Sequence, residues 1–300
     1  MSFDLRYKQQ RKEEQAMKPK AKIISCSLQK GGVGKTIFAV NIAAFLSTYR
    51  RSRYSRYRNR VLLVDIDTHS SATKYLGAYD DSRDSIFEVL MRKTSIKDAI
   101  QTFSYEFGRF GVCQIDLLPS NEILHHFEKQ WSDLSNPELR LKEALDKVAG
   151  DYEYIIIDCP PESDSLLTNA FNCTDYYILP VLPDANSFQE LAPTISQIRN
   201  LPTSTNHGTI LGCVINESSK RPIKVNDEVI DIKSLYSDIL TVFDTSIPTS
   251  SFIDNSFAEC IPIPFYHYSI HKCPRIFGAM RTLSKEVVAR IDEKERVKYA

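Results

Sequence analysis

The residues best suited to chemistry lie in one short run, Ser27-Leu28-Gln29-Lys30-Gly31-Gly32-Val33-Gly34-Lys35-Thr36. Its three glycines let the backbone turn its N–H groups inward, which a cradle for phosphate oxygens requires. Lys35 is spaced to reach the β- and γ-phosphates of a nucleotide, and the Thr36 hydroxyl suits Mg²⁺. A helix starting near Lys35 would add its positive end to the same anion. Two features depart from the common G-x-x-x-x-G-K-[ST] spacing. Gln29 stands where the first glycine would fall, and a second lysine, Lys30, precedes Lys35 by five residues.

Two more apolar runs end in acids: Val64-Asp65-Ile66-Asp67, and Ile155-Ile156-Ile157-Asp158-Cys159-Pro160-Pro161. Such runs describe buried strands that deliver carboxylates to one end of a sheet. Asp158 there suits a Mg²⁺ ion that keeps most of its water.

These groups need a scaffold. Continuous apolar, β-branched stretches at 21–27, 60–67, 114–120, 154–160, 176–182 and 209–216 read as strands buried on both faces. Amphipathic stretches lie between them, such as TIFAVNIAAFLSTY, PELRLKEALDKVA and SFQELAPTISQIRNL. The alternation predicts an α/β fold: a doubly wound, mostly parallel sheet with helices on both faces. Sheets of that kind bind ligands at the carboxyl ends of their strands. The organisation expected is a basic arm over 1–20 and one domain over 21–300, with an Arg/Tyr-rich insertion at 49–60.

Composition narrows the classes. At 42% hydrophobic and 25% charged, 300 residues can bury a sizeable core. No apolar run approaches the ~18 residues of a membrane span. The seven cysteines include no C-x-x-C pair, which disfavours thiolate metal sites and suits a reduced, cytoplasmic protein. The net charge of zero conceals an asymmetry. Residues 1–60 hold fifteen Lys/Arg against three Asp/Glu, and the other 240 hold twenty-three against thirty-five. A basic end on an acidic body points to a polyanionic partner, either nucleic acid or an anionic membrane.

The string K-G-G-V-G-K-T resembles the deviant Walker A motif of the ParA/MinD family of ATPases. D-I-D-T-H-S-S-A-T (65–73) and I-I-I-D-C-P-P (155–161) are similar to that family's two switch segments. The resemblance runs from about residue 21 to about 292 and implies a P-loop ATPase with ATP and Mg²⁺ as cofactors. It implies that Lys30 crosses a dimer interface to the partner's nucleotide, alongside Lys35 and Asp67 as catalytic residues. Asp67 matches the residue that orients the attacking water. Thr36, Asp65 and Asp158 match the surroundings of Mg²⁺, and Lys30 to Ile37 (Lys30, Gly31, Gly32, Val33, Gly34, Lys35, Thr36, Ile37) match the nucleotide loop. Asn216 and Pro248 match adenine-side positions. The departures are Thr68 for proline, His69 for glutamine and Ile37 for threonine.

By the same resemblance, the closest branch is DNA partition. That implies an ATP-dependent homodimer on non-specific DNA, a ParB-like centromere-binding partner that stimulates hydrolysis, and a cytoplasmic, nucleoid-associated location. The alternative is a MinD-like membrane-associated positioning ATPase. Acids interrupt the C-terminal EVVARIDEKERVKYA, which disfavours membrane binding. The block YRRSRYSRYRNR (49–60) lies outside the resemblance. Its Arg50, Arg51, Arg53, Arg56 and Arg58 are the expected DNA contacts, since arginine binds phosphate bidentately.

Overall fold

The computed structural model describes residues 20–50, 58–108, 111–162, 165–184, 187, 189–201, 208–217, 240–266 and 273–298. The basic arm up to residue 19, the arginines at 51, 53 and 56, and nearly all of the polar stretch 217–238 lie outside the described residues.

Among the described residues, seven strands make one sheet: β1 (Lys22–Cys26), β2 (Val61–Asp65), β3 (Gln101–Glu106), β4 (Val112–Leu118), β5 (Tyr154–Asp158), β6 (Tyr176–Val181) and β7 (Thr209–Ile215). Their order is β3-β4-β2-β5-β1-β6-β7, and every pairing is parallel except β3 with β4. Six of them are the continuous apolar runs of the sequence. The seventh, β3, alternates half-buried with exposed residues along the sheet edge, so no continuous apolar run marks it. Pro180 is accommodated within β6 because β1 has left the sheet by then. Ile178 faces that edge with its carbonyl on Ser27 N, and Pro180, two residues on, has no strand there to donate to.

The helices that matter here are α1 (Lys35–Thr48), α2 (Ser71–Tyr75), α3 (Arg140–Leu145), α4 (Ser165–Cys173), α5 (Leu191–Arg199), α6 (Ser251–Ala258) and α7 (Pro274–Lys298). The stretch expected as one helix over 137–149 is broken, a 3₁₀ turn at Pro137–Leu139 preceding α3. One core cluster joins Phe38, Ile42 and Phe45 of α1 to Met280, Leu283 and Val287 of α7. The other joins Leu141 of α3, Phe171 of α4 and Ile195 of α5 across the opposite face. Each such side chain contributes roughly 1.5–3 kcal/mol by leaving water.

Helix α1 is buried around nearly its whole circumference, so the Asn41 side chain at its middle must be satisfied internally. Asn41 donates to the Ile37 carbonyl at 2.9 Å and to the Tyr75 hydroxyl at 3.2 Å, and accepts from Ile263 N at 2.8 Å. The helix stops at Thr48 instead of running on into the Arg/Tyr block. Asn59 N donates to the Tyr49 carbonyl at 2.9 Å and Arg50 bridges Arg58 antiparallel, so the insertion leaves and returns at one point. Arg58 turns its guanidinium onto the Thr48 carbonyl and lies 5.9 Å from the centre of the Phe107 ring. Among the described residues, no helix is long and apolar enough to cross a membrane.

Candidate functional site

Strand β1 ends at Cys26, and the chain loops through residues 27–34 into α1. Gly34 caps that helix with φ 96°, in the left-handed region. A Cβ there would lie 2.4 Å from Asn216 Nδ2, so both backbone conformation and space require glycine. Asn216, just past β7, braces the loop. Its main-chain N–H donates to the Val181 carbonyl at 2.8 Å and its Nδ2 to the Val33 carbonyl at 3.0 Å. Its Oδ1 is buried with no partner among the described residues.

The two lysines of the loop diverge. Lys35 is buried and donates from Nζ to the Lys30 carbonyl at 2.7 Å. Burial lowers its pKa, while Asp158 and then Asp67 act in the opposite sense. Lys30 instead reaches sideways to its own chain, with Nζ 2.9 Å from Asp184 Oδ1 and 2.8 Å from Ser187 Oγ. Burial alone would raise the Asp184 carboxyl, but the bonds from Lys30 and Ser187 hold it below the usual carboxylate range. Gln29 fastens the same side of the loop to α5. Its N–H donates to Thr194 Oγ1 at 3.3 Å and its side chain to Gln197.

Strand pairing sets Asp65 opposite Asp158, and Asp158 opposite Cys26. Both acids are fully buried, yet their surroundings differ. Asp65 Oδ2 accepts from Thr73 N at 2.8 Å and Thr73 Oγ1 at 2.7 Å, and its Oδ1 from Asp67 N at 3.2 Å. Burial still pushes its carboxyl up to about 7. Among the described residues, neither Asp158 oxygen has a hydrogen-bond partner. Burial first and Asp65 second raise its carboxyl well above the usual range, against the opposing pull of Thr36. A buried acid pair with one member unpaired fits a divalent cation, which supplies the missing positive charge.

Asp67 sits where β2 gives way to α2. Its Oδ1 accepts from His69 N at 2.9 Å, and Ser70 N closes the turn on its carbonyl at 2.9 Å. Ser120 Oγ donates to that carbonyl at 2.8 Å. These bonds stiffen the turn despite threonine at position 68, where the resemblance expects proline.

Gly31, Gly32, Gly34, Lys35, Thr36, Ile37 and Asp67 all line one cleft of about 390 Å³, closed by His69, Ser71, Pro161 and Phe257. That size is in the range of small-molecule sites. Ile37 also packs against the α1/α7 cluster, and Val33 is buried, offering only its carbonyl. Pro248 is half-buried beside Ile247, whose N–H bonds the Ile215 carbonyl at 2.8 Å, and it does not line the cleft. Arg50 and Arg58 lie beyond the far end of α1, whose 14 residues span roughly 21 Å. Sequence reasoning did not find Asp184, Ser187, Thr194, Gln197 or Phe257, because each meets the loop or cleft from a distant part of the chain.

A parallel sheet with a phosphate loop after β1 and acids ending the two strands beyond it defines a P-loop nucleotide-binding protein. The family described as AAA domain matches residues 21–209. The sporulation initiation inhibitor protein Soj of Bacillus subtilis (strain 168) is 30% identical over 272 residues, 89% of this chain and 98% of the relative. The chromosome partitioning protein ParA of Myxococcus xanthus (strain DK1622) is 34% identical over 161 residues, 53% of this chain and 52% of that one. Cobyrinic acid a,c-diamide synthase from Mycobacterium smegmatis, solved with bound ATP analog and magnesium, superposes with a TM-score of 0.70 at 25% identity, covering 89% of this chain and 94% of that one. The chain belongs to the ParA/MinD family of P-loop ATPases.

Proposed function

We propose that the chain is a partition ATPase that dimerises around ATP, holds DNA without sequence preference, and releases it when a ParB-like partner stimulates hydrolysis. The observation that carries the catalytic part is Asp158, fully buried near Thr36 and Lys35, with neither oxygen in a hydrogen bond among the described residues. The partition role rests on the relatives, one of them named a chromosome partitioning protein.

In this reading, the N–H groups of Gly31 to Thr36 and the α1 terminus bind the phosphates. Lys35 turns from the Lys30 carbonyl to the β- and γ-phosphates, a move that costs one hydrogen bond and gains charge pairing. Thr36 and Asp158 are the residues that would hold Mg²⁺, with Asp65 behind them, and the ion there supplies charge against the phosphates. Asp67 accepts a hydrogen bond from the attacking water. Asn216 and Pro248 do not line the cleft and are adenine-side residues by the family resemblance alone, Asn216 Oδ1 being a buried acceptor with no partner among the described residues. Lys30 must leave Asp184 and Ser187 to reach a nucleotide in a second copy. Because that ion pair is partly exposed, exchanging it for a phosphate contact costs little.

The DNA surface assigned is the arginine insertion. Arg50 and Arg58 form its base, and Arg51, Arg53 and Arg56 are the members outside the described residues. Phosphate contacts carry no base information, so binding is indifferent to sequence. Co-sedimentation of the purified chain with DNA tests this reading, using ATP, ADP or no nucleotide and anionic liposomes as a parallel arm. Pelleting with DNA only in ATP supports it. Pelleting with liposomes and not with DNA replaces it with the membrane-associated alternative.

A further inference from the structure

In the turn after β2, the His69 side chain meets Asp67 but has no part in the reaction described above. Asp67 Oδ1 receives two donors from a single residue: the main-chain N–H of His69 at 2.9 Å and the His69 ring Nδ1, also at 2.9 Å. A carboxylate oxygen only accepts, so the ring hydrogen lies on Nδ1. The main-chain contact is an Asx turn, a local geometry that asparagine and aspartate adopt alone. The ring contact adds a second donor to the same oxygen and so limits rotation of the carboxylate about its Cβ–Cγ bond, a torsion that is otherwise broad. Oδ2 is left without a hydrogen-bond partner among the described residues, and the side chain, 10% exposed, opens on the cleft.

The backbone around this contact is secured without the ring. Ser70 N and Ser120 Oγ both hold the Asp67 carbonyl, and Lys74 Nζ holds the His69 carbonyl at 2.9 Å. The ring itself is 67% exposed and contributes little to the core. Removing it therefore leaves the turn in place and frees only the carboxylate.

We infer that His69 is a positioning residue for hydrolysis: its Nδ1–H holds Oδ1 of Asp67 so that Oδ2 faces the attacking water. The inference rests on the reading that this chain hydrolyses ATP with Asp67 orienting the water. A hydrogen bond to a charged group is worth enough to change a rate by about tenfold when lost.

The test is steady-state ATP hydrolysis by the full chain, comparing wild type with His69→Ala, His69→Asn and Asp67→Ala. His69→Ala lowers kcat by about tenfold and leaves KM for ATP within about twofold, the pattern of a group that acts in the transition state alone. His69→Asn places an amide N–H near the Nδ1 position and recovers most of the loss. Wild-type kcat in His69→Ala, with Asp67→Ala slowed by about a hundredfold, overturns the inference. A loss in His69→Ala that His69→Asn does not recover also overturns it, because the donor would not be what matters. An inactive wild type, or a fully active Asp67→Ala, overturns the underlying reading instead.

Discussion

The strand ends β2 and β5 lie side by side and each carries a buried acid, but they are finished in opposite ways. At the end of β2, Asp65 accepts three hydrogen bonds and the following turn is closed by Ser70, Ser120 and His69. At the end of β5, Asp158 has none among the described residues, and two prolines follow Cys159. A buried polar group without a partner costs about 1–3 kcal/mol, and a charged one costs more. The first acid therefore belongs to the framework of the folded chain. The second is left for what binds.

That contrast can be broken from either side. The largest expected effect is in Asp158→Asn, which removes the charge facing Thr36 and leaves the fold intact. ATP turnover should fall by about 10²–10³-fold, the usual cost of losing one preorganised electrostatic partner. The denaturant midpoint should not fall, since no hydrogen bond is lost. A midpoint drop of the size seen in a core mutant would place Asp158 in the framework after all.

Asp67→Ala comes next, with turnover lower by about a hundredfold, in the range of a lost positioned base. ATP binding should persist because Lys35 and Thr36 are untouched, so light scattering should show an ATP dimer that outlives the wild-type one. A short-lived dimer with normal turnover would remove Asp67 from the reaction.

Thr73→Val strikes the other strand end. It takes one donor from Asp65 and leaves Ser120 N, 2.9 Å from the Thr73 hydroxyl, without its acceptor. Stability should drop by roughly 1–3 kcal/mol in urea titrations. An unchanged midpoint would mean that the hydrogen bonds on Asp65 are not what holds this end together.

The last contrast is one of pH. With its carboxyl raised to about 7, Asp65 keeps in the fold a proton that the unfolded chain releases near the ordinary carboxylate value. Between those two values the folded state binds more protons, so stability falls as pH rises, by up to about 1.4 kcal/mol per unit. Asp65→Asn should flatten this slope in the chain without nucleotide. An equal slope in wild type and mutant would assign the titration elsewhere.

How much of this was readable in the sequence depended on range. Lys35, Thr36 and the three glycines act within a few residues of one another, so their spacing alone states the chemistry. Asp65, Asp67 and Asp158 were legible because each closes a continuous apolar run, and a parallel sheet collects such ends at one edge. Strand β3 was not, because this edge strand alternates half-buried with exposed residues and leaves no apolar run to read. The partner of Lys30 was not legible either, since Asp184 lies 154 residues away and nothing local marks the pairing. The Arg/Tyr block read as a helix extension or a DNA face. Its base is a bridge between Arg50 and Arg58 and not a continued helix, with Arg58 turned onto Thr48 and Phe107.

The most direct test of the site is calorimetric titration of the chain with ATP, with Mg²⁺ and with EDTA, in wild type and in Lys35→Ala. The account predicts that wild type binds ATP and loses affinity by at least about tenfold without Mg²⁺, while Lys35→Ala shows no measurable heat. ATP binding by Lys35→Ala at wild-type affinity, or wild-type binding indifferent to Mg²⁺, would contradict it.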